Sequence, residues 1–285
     1  MKRVLGFVFL MIIGLVGCTG DTQPTPTPPE PRTLLSTVID NLQVLKTFRI
    51  LIEQSGTPYL FRVTLDQGVS EVVAEMRRAD AQYENPNILY ADTRLSLGGL
   101  PPVGVEIFAR GADQWFKLLG TDWIKYPIAE GFDPGTLIQE DSGFPAALSK
   151  LEGLTYVGEE TLDTGESVFH VRGLAQGQVI NDLMFGLLTV TQDNINVDVY
   201  VDKTALLPAL LVVTLPGTAT EDTPQDTQWR IEVYNVNTPS DFKAPAADSA
   251  PSATTEAQAT SEARTTAEAT SAATAETTAE ATTQP

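Results

Sequence analysis

Residues 33–58 read TLLSTVIDNLQVLKTFRILIEQSGTP, and the period of their apolar residues changes partway along. Leu34, Leu35, Val38, Ile39, Leu42 and Leu45 recur at helical spacing behind Thr33, a residue type that suits a helix N-cap. From Phe48 the period falls to two. Phe48, Ile50 and Ile52 face one way, Arg49, Leu51 and Glu53 the other, and SGTP supplies a turn. A one-sided helix followed by a one-sided strand points to an α+β domain.

Working outward, further alternating strands follow in the manner of a meander. Phe61, Val63 and Leu65 oppose Arg62, Thr64 and Asp66; Val72, Ala74 and Met76 oppose Glu71, Glu75 and Arg77; Leu89, Ala91, Thr93, Leu95 and Leu97 oppose Asp92, Arg94 and Ser96. Strands are also expected at 105–108, 115–118 and 168–174. The two most regular close the domain, Ile195, Val197, Val199 and Val201 in one, Trp229, Ile231 and Val233 in the other. One apolar and one polar face per strand is the mark of an antiparallel sheet with one side solvated, whereas buried parallel strands are apolar throughout. Two more helical patterns interrupt the strands. Residues 133–151 carry Leu137, Ile138, Ala147, Leu148 and Leu151, with Gly143 and Pro145 expected to break the helix; residues 178–188 carry Val179, Ile180, Leu183, Met184, Leu187 and Leu188. The predicted architecture is a curved antiparallel sheet whose concave apolar face is covered by helices.

The ends of the chain are of another kind. Lys2 and Arg3 precede an apolar run over 4–16, too short to span a bilayer but suited to a signal sequence, and the run ends in Leu15-Val16-Gly17-Cys18. This resembles the lipobox of bacterial lipoproteins, with cleavage after residue 17 and acylation of Cys18. Cys18 is the only cysteine of the 285 residues, so it has no disulfide partner, and its thiolate is the nucleophile that takes a diacylglyceryl group. Residues 18–32 form a Pro/Thr-rich tether with polyproline II character. From 244 to 285 the chain has no Leu, Ile, Val, Met or aromatic residue and repeats TTAEAT, which predicts a disordered tail. One globular domain, 33–243, remains between them.

The formal charge is −19, and removal of Lys2 and Arg3 with the signal leaves −21. Phosphate backbones would repel such a chain, which argues against a nucleic-acid partner, and anionic head groups would repel it too, so attachment to a membrane falls to acyl chains on Cys18. Hydrolytic chemistry lacks its parts: the sole histidine, His170, shares a strand side with Arg172 and is expected to face solvent. Adjacent carboxylates such as Glu159 and Glu160 are common in a chain this acidic. Asp193, Asn194, Asn196, Asp198 and Asp202 lack the glycine and final glutamate of an EF-hand. There is no Gly-rich phosphate loop after a strand and no Cys/His cluster for zinc, so neither a cofactor nor a metal is expected.

Several segments together, LLSTVIDNLQVLKTFRI, ADQWFKLLGTDWIKYP, FDPGTLIQ, SKLEGLTYVGEETLDTGESVFHVRG and VDVYVDKTALLPALLVV, resemble in content and order the LppX and LprG type of lipoproteins. The resemblance covers most of 33–243; the Thr/Ala/Glu tail departs from the family pattern. It implies a LolA-like half-barrel that holds acyl chains in an apolar cavity between sheet and helices, with no catalytic motif. The residues implied for that lining are Leu42, Phe48, Ile50, Ile52, Phe61, Val63, Val72, Ala74, Ala91, Leu95, Ile107, Leu148, Leu183, Leu187, Val197, Val199, Trp229 and Ile231. The expected function is that of a lipid-anchored protein on the outer face of the cell membrane, which carries or presents a lipid or glycolipid across the envelope with a transporter partner of unknown identity. The alternative is a structural or sensory lipoprotein whose concave face is filled by its own side chains. Periodicity alone does not separate the two.

Overall fold

The first helix is capped at Glu30 rather than at Thr33. The Glu30 carboxylate accepts from the backbone N–H groups of Arg32 at 2.9 Å and Thr33 at 2.6 Å, and Pro31 takes the first helical position, where a missing N–H costs nothing. The Thr33 hydroxyl also donates to Glu30 and, with those amides, holds its carboxyl below the usual range. The computed structural model describes residues 28–65, 70–118, 120–126, 132–184 and 190–246. The expected signal, Cys18, most of the tether and the tail from 247 lie outside them.

Helix α1 (Pro31–Gln43) leads into β1 (Thr47–Ser55), β2 (Leu60–Leu65), β3 (Ser70–Glu84), β4 (Ile88–Leu97), β5 (Val103–Arg110), β6 (Asp113–Leu118) and β7 (Ile124–Lys125). A 3-10 turn (Pro134–Ile138) and α2 (Gly143–Ser149) follow, then β8 (Glu152–Thr161), β9 (Ser167–Ala175), α3 (Gly177–Leu183), β10 (Ile195–Asp202), β11 (Pro208–Leu215) and β12 (Thr227–Tyr234). All described strands belong to one antiparallel sheet in the order β7-β6-β5-β4-β3-β1-β12-β11-β10-β9-β8, with β2 paired to β3. The chain thus starts at the middle of the sheet, walks to one edge, crosses over through the 3-10 turn and α2, and walks back from the other edge until β12 pairs with β1. The outermost strands β7 and β8 do not meet, so the half-barrel is open. This is the expected α+β class.

SGTP does not reverse the chain. β1 pairs with residues 78–84 of β3 and β2 with residues 70–75 of the same strand, both antiparallel, so β1 and β2 are one interrupted strand along one edge of β3. The excursion between them docks elsewhere: the Thr57 N–H donates to the Gln225 carbonyl at 3.0 Å, and the Thr227 hydroxyl donates to the Thr57 carbonyl at 2.7 Å. A turn motif names a bend, and the backbone partner that captures it decides where the chain goes next. Gly143 and Pro145 likewise begin α2 instead of breaking a longer helix. Gly143 sits at φ 57°, where a Cβ would collide with the Leu137 carbonyl, so glycine is required at the junction of the 3-10 turn and α2.

The convex face is not polar throughout. Phe108 is only 1% exposed although its strand neighbours Ile107 and Ala109 point into the concave side. Its ring is covered by Trp115, Trp123 and Phe242, at centroid separations of 5.6, 6.3 and 6.0 Å, while Phe242 also stacks on Tyr90. Burial, aided by Glu106, pushes the Tyr90 hydroxyl up to about 12. The cover arrives with the chain that follows β12. Asn237 accepts from the Lys46 N–H at 3.0 Å, and Asp241 bonds Arg49 at 2.6 Å while its N–H donates to Gln82. Removing residues 247–285 should therefore leave the melting temperature unchanged, whereas removing 239–285 uncovers Phe108 and should cost about 1–2 kcal/mol, a partial share of a phenylalanine's burial. Urea melts of the two truncations check this; equal midpoints would mean that the strap adds nothing.

Candidate functional site

Read across the strands, one register row runs Val171, Val199, Leu211, Ile231, Ile52, Ala79, Thr93, Val105, each residue paired with the next. Because side chains alternate, the whole row points to one side of the sheet, and every member is buried. The floor is graded. From β9 to β1 it is mostly valine, leucine and isoleucine, with Trp229 and Phe48 among them, while β3 to β5 mix Ala79, Ala81, Ala91 and Ala109 with Tyr83, Thr93 and Val105. The 3-10 turn packs against β4, with Gly135 close to Pro86 and Asn87 in the turn before it.

The roof consists of short helices. α1 contributes Leu34, Leu35, Val38 and Leu42; α2 contributes Phe144, Ala147 and Leu148; α3 contributes Val179, Ile180 and Leu183, followed by Met184. Arg32 ties the start of α1 to the end of α2, donating to the Ser149 carbonyl at 2.8 Å and the Leu151 carbonyl at 2.7 Å. Asn41 ties the other end to the Leu206 carbonyl at 3.0 Å, in the turn before β11. α2 packs between α1 and α3, so the roof is continuous across the floor.

Of the residues read from the sequence as cavity lining, Leu42, Phe48, Ile50, Ile52, Ala91, Leu148, Leu183, Val197, Val199, Trp229 and Ile231 are brought together in this buried cluster. Phe61, Leu95 and Ile107 pack against it partly exposed, Ala74 is buried on the same side of β3, and Val72 is half-buried. The Val63 backbone pairs with Val72, but its side chain, like Leu187, lies outside the described residues. Sequence reading missed Tyr83, whose hydroxyl donates to the Pro86 carbonyl at 3.0 Å and is pushed up to about 12 by burial. It also missed Tyr59, edge-on to Trp229 at 5.1 Å, and all of β11, which is buried on both faces. β11 carried a signal, the unbroken apolar run PALLVV.

Among the described residues, the side chains of the concave face and the roof are packed against one another and nearly all are buried. Two hollows have defined linings: one of about 10 Å³ beside Thr47 and Pro239, and one of about 250 Å³ opening among Glu152, Leu174, Gln176, Asp193 and Asn194. The larger is a mainly polar recess at the edge of the sheet that touches the apolar floor at Ala175. No helix among the described residues is long and apolar enough to cross a membrane, and no group of acidic, histidine or cysteine side chains among them is placed to hold a metal.

His170 does lie on the convex side with Arg172, but it does not face solvent: it is 4% exposed. Its Nδ1 lies 2.6 Å from Glu160 and its Nε2 2.7 Å from Asp198, and the ring stacks on Tyr200 at 4.3 Å. Asp198 also accepts from Arg172 at 2.7 Å. The cluster pins the edge strand β8, through Glu160, to β9 and β10. Asp202 is engaged as well, its carboxylate accepting from the N–H groups of Thr204 and Ala205.

An open antiparallel half-barrel with an apolar concave face roofed by short helices defines the class of protein. The family model described as LppX_LprAFG lipoprotein matches residues 31–241, and the chain belongs to that family. Among solved structures, LprF from Mycobacterium bovis is similar over 77% of this chain and 98% of its own, with 18% identity and a TM-score of 0.56. Lipoprotein LppX of Mycobacterium tuberculosis is similar over 76% of this chain and 100% of its own, with 16% identity and a TM-score of 0.50. What these two share with the chain is the fold. No curated protein matches it.

Proposed function

We propose that this protein is an extracytoplasmic lipoprotein, acylated on Cys18 and held on the outer face of a membrane, that takes the acyl chains of a lipid or glycolipid between its concave face and its helical roof. The observation that carries the reading is the continuous apolar floor across the open sheet, roofed only by short helices, in a chain of a lipoprotein family. Burial at about 25 cal/mol per Å² makes an acyl chain favour such a surface over water without any polar chemistry. Because floor and roof are packed against one another, loading requires the roof to lift. α2 and α3 have seven residues each, too short to be stable apart from their contacts, which makes them the movable part.

The packed floor also favours a second reading, an interaction lipoprotein with no cargo. Mass spectrometry of lipids that copurify with the folded chain decides between them. A stoichiometric lipid of one class supports the carrier; none, from a membrane-expressed preparation, supports the second. The anchor is tested separately. Cys18→Ala should move the protein wholly from the detergent phase to the aqueous phase, since more than one acyl chain, at roughly 0.8 kcal/mol per buried methylene, gives stable anchoring and the variant has none. Unchanged partitioning and mass would show that Cys18 is not acylated.

A further inference from the structure

Strand directions place one set of loops at the end of the sheet where β1 finishes: the β4–β5 hairpin, the β6–β7 connection, the start of β3 and the start of β8. Apolar exposure is concentrated there. Leu60, Val73, Leu100, Val103, Leu118 and Ile124, between 39% and 65% exposed, all lie at this end and on the β2–β7 half. Single exposed apolar residues are ordinary on any surface, but six on neighbouring strand ends and one turn at the same end are not. The β4–β5 tip, Leu97-Gly-Gly-Leu-Pro-Pro-Val103, is turned by two hydrogen bonds, the Leu100 N–H donating to the Leu97 carbonyl at 3.0 Å and the Ser96 hydroxyl to the Leu100 carbonyl. Leu100 is thus held out in water by a defined turn.

Two further observations say what covers it. α1 begins at this same end, where Arg32 is bonded to the chain just before β8. The thirteen steps from Cys18 to Pro31 reach at most about 45 Å, so an acylated Cys18 keeps this end close to the bilayer. Basic side chains stand at the same place: Arg62, Arg77 and Arg94 lie beside the apolar tips, Arg77 being paired with Glu75, with Asp122 in the β6–β7 connection, while Glu152, Asp193, Glu221 and Asp222 lie on the β8–β12 half with Arg32 and Lys150.

We infer that the tips carrying Leu100, Val103, Leu118 and Ile124 are a membrane-docking surface that inserts shallowly into the bilayer anchoring the chain. Apolar side chains flanked by arginine suit the boundary between head groups and acyl chains. The inference uses the anchored-lipoprotein reading for its tether, so its test has an arm that does not. Leu100→Cys and, at the opposite end, Val44→Cys, each in the Cys18→Ser chain, are labelled with an environment-sensitive fluorophore and titrated with phosphatidylcholine vesicles that contain a shallow nitroxide lipid. Val44 is 74% exposed, so both labels sit on an open surface. The same labels are placed in the acylated chain reconstituted in such vesicles.

The label at position 100 should shift to the blue and be quenched several-fold more than the label at 44, and the response should fall away when Ile124→Asp and Val103→Asp are added. Response at 100 above 44 in either arm supports docking. Equal response at the two positions in both arms overturns it, as does a shift that follows protein concentration without lipid, which would mark contact between copies of this chain. Flotation of the acylated chain reports on the anchor alone, so failure of Cys18 acylation is seen apart from failure of the tips.

Discussion

Trp229→Ala should cost about 3–5 kcal/mol, the loss usual for truncating a fully buried tryptophan, and lower the melting temperature by roughly 10 °C or more. The indole is 1% exposed, stands in β12 between β1 and β11, and meets Tyr59 edge-on. Its loss would open a hole at the middle of the floor, where the two walks of the chain join, and would also release the excursion that Tyr59 closes. Urea denaturation should show a lower midpoint with an unchanged slope, because the surface exposed on unfolding barely changes. A loss below about 1 kcal/mol would mean that the ring sits in a pre-existing void.

Trp229 was legible because β12 alternates without a break, and the same regularity gave β4 and β10. What the sequence withheld was partnership. Alternation assigns a side chain to a face but does not say which strand lies beside it, so β1 and β2 looked like a hairpin although both pair with β3. The same gap explains His170. Its side of β9 could be read from Arg172, but its burial comes from Glu160, Asp198 and Tyr200 on neighbouring strands, ten or more residues away in sequence. Phe108 is a third case: the strap that buries it begins beyond residue 234, in a stretch with no periodic signal.

The lining was more legible than the cavity. A floor of alternating aliphatic residues is written in the pattern, whereas the space above it depends on how closely the roof descends, a matter of helix length and turn geometry. Here the 3-10 turn packs against β4, and Gly143 allows the sharp passage into α2. The family resemblance supplied the cavity; among the described residues the floor and roof side chains pack against one another.

Filling that face further should separate a carrier from a filled core. Ala91→Phe puts a ring on the floor between Ala81 and Ile107, and Val199→Phe puts one beneath the roof between Val171 and Leu211. Both sites are close-packed, so each variant should lose about 1–3 kcal/mol in the lipid-free chain. If acyl chains load by lifting the roof, they must occupy the volume the new ring takes, and uptake of a fluorescent acyl probe should fall in both variants. The stability and uptake measurements answer different questions. Uptake retained in both variants would place the lipid away from the concave face. Wild-type protein that takes up neither probe nor native lipid, with both variants destabilised, would leave the interaction lipoprotein as the function of this fold.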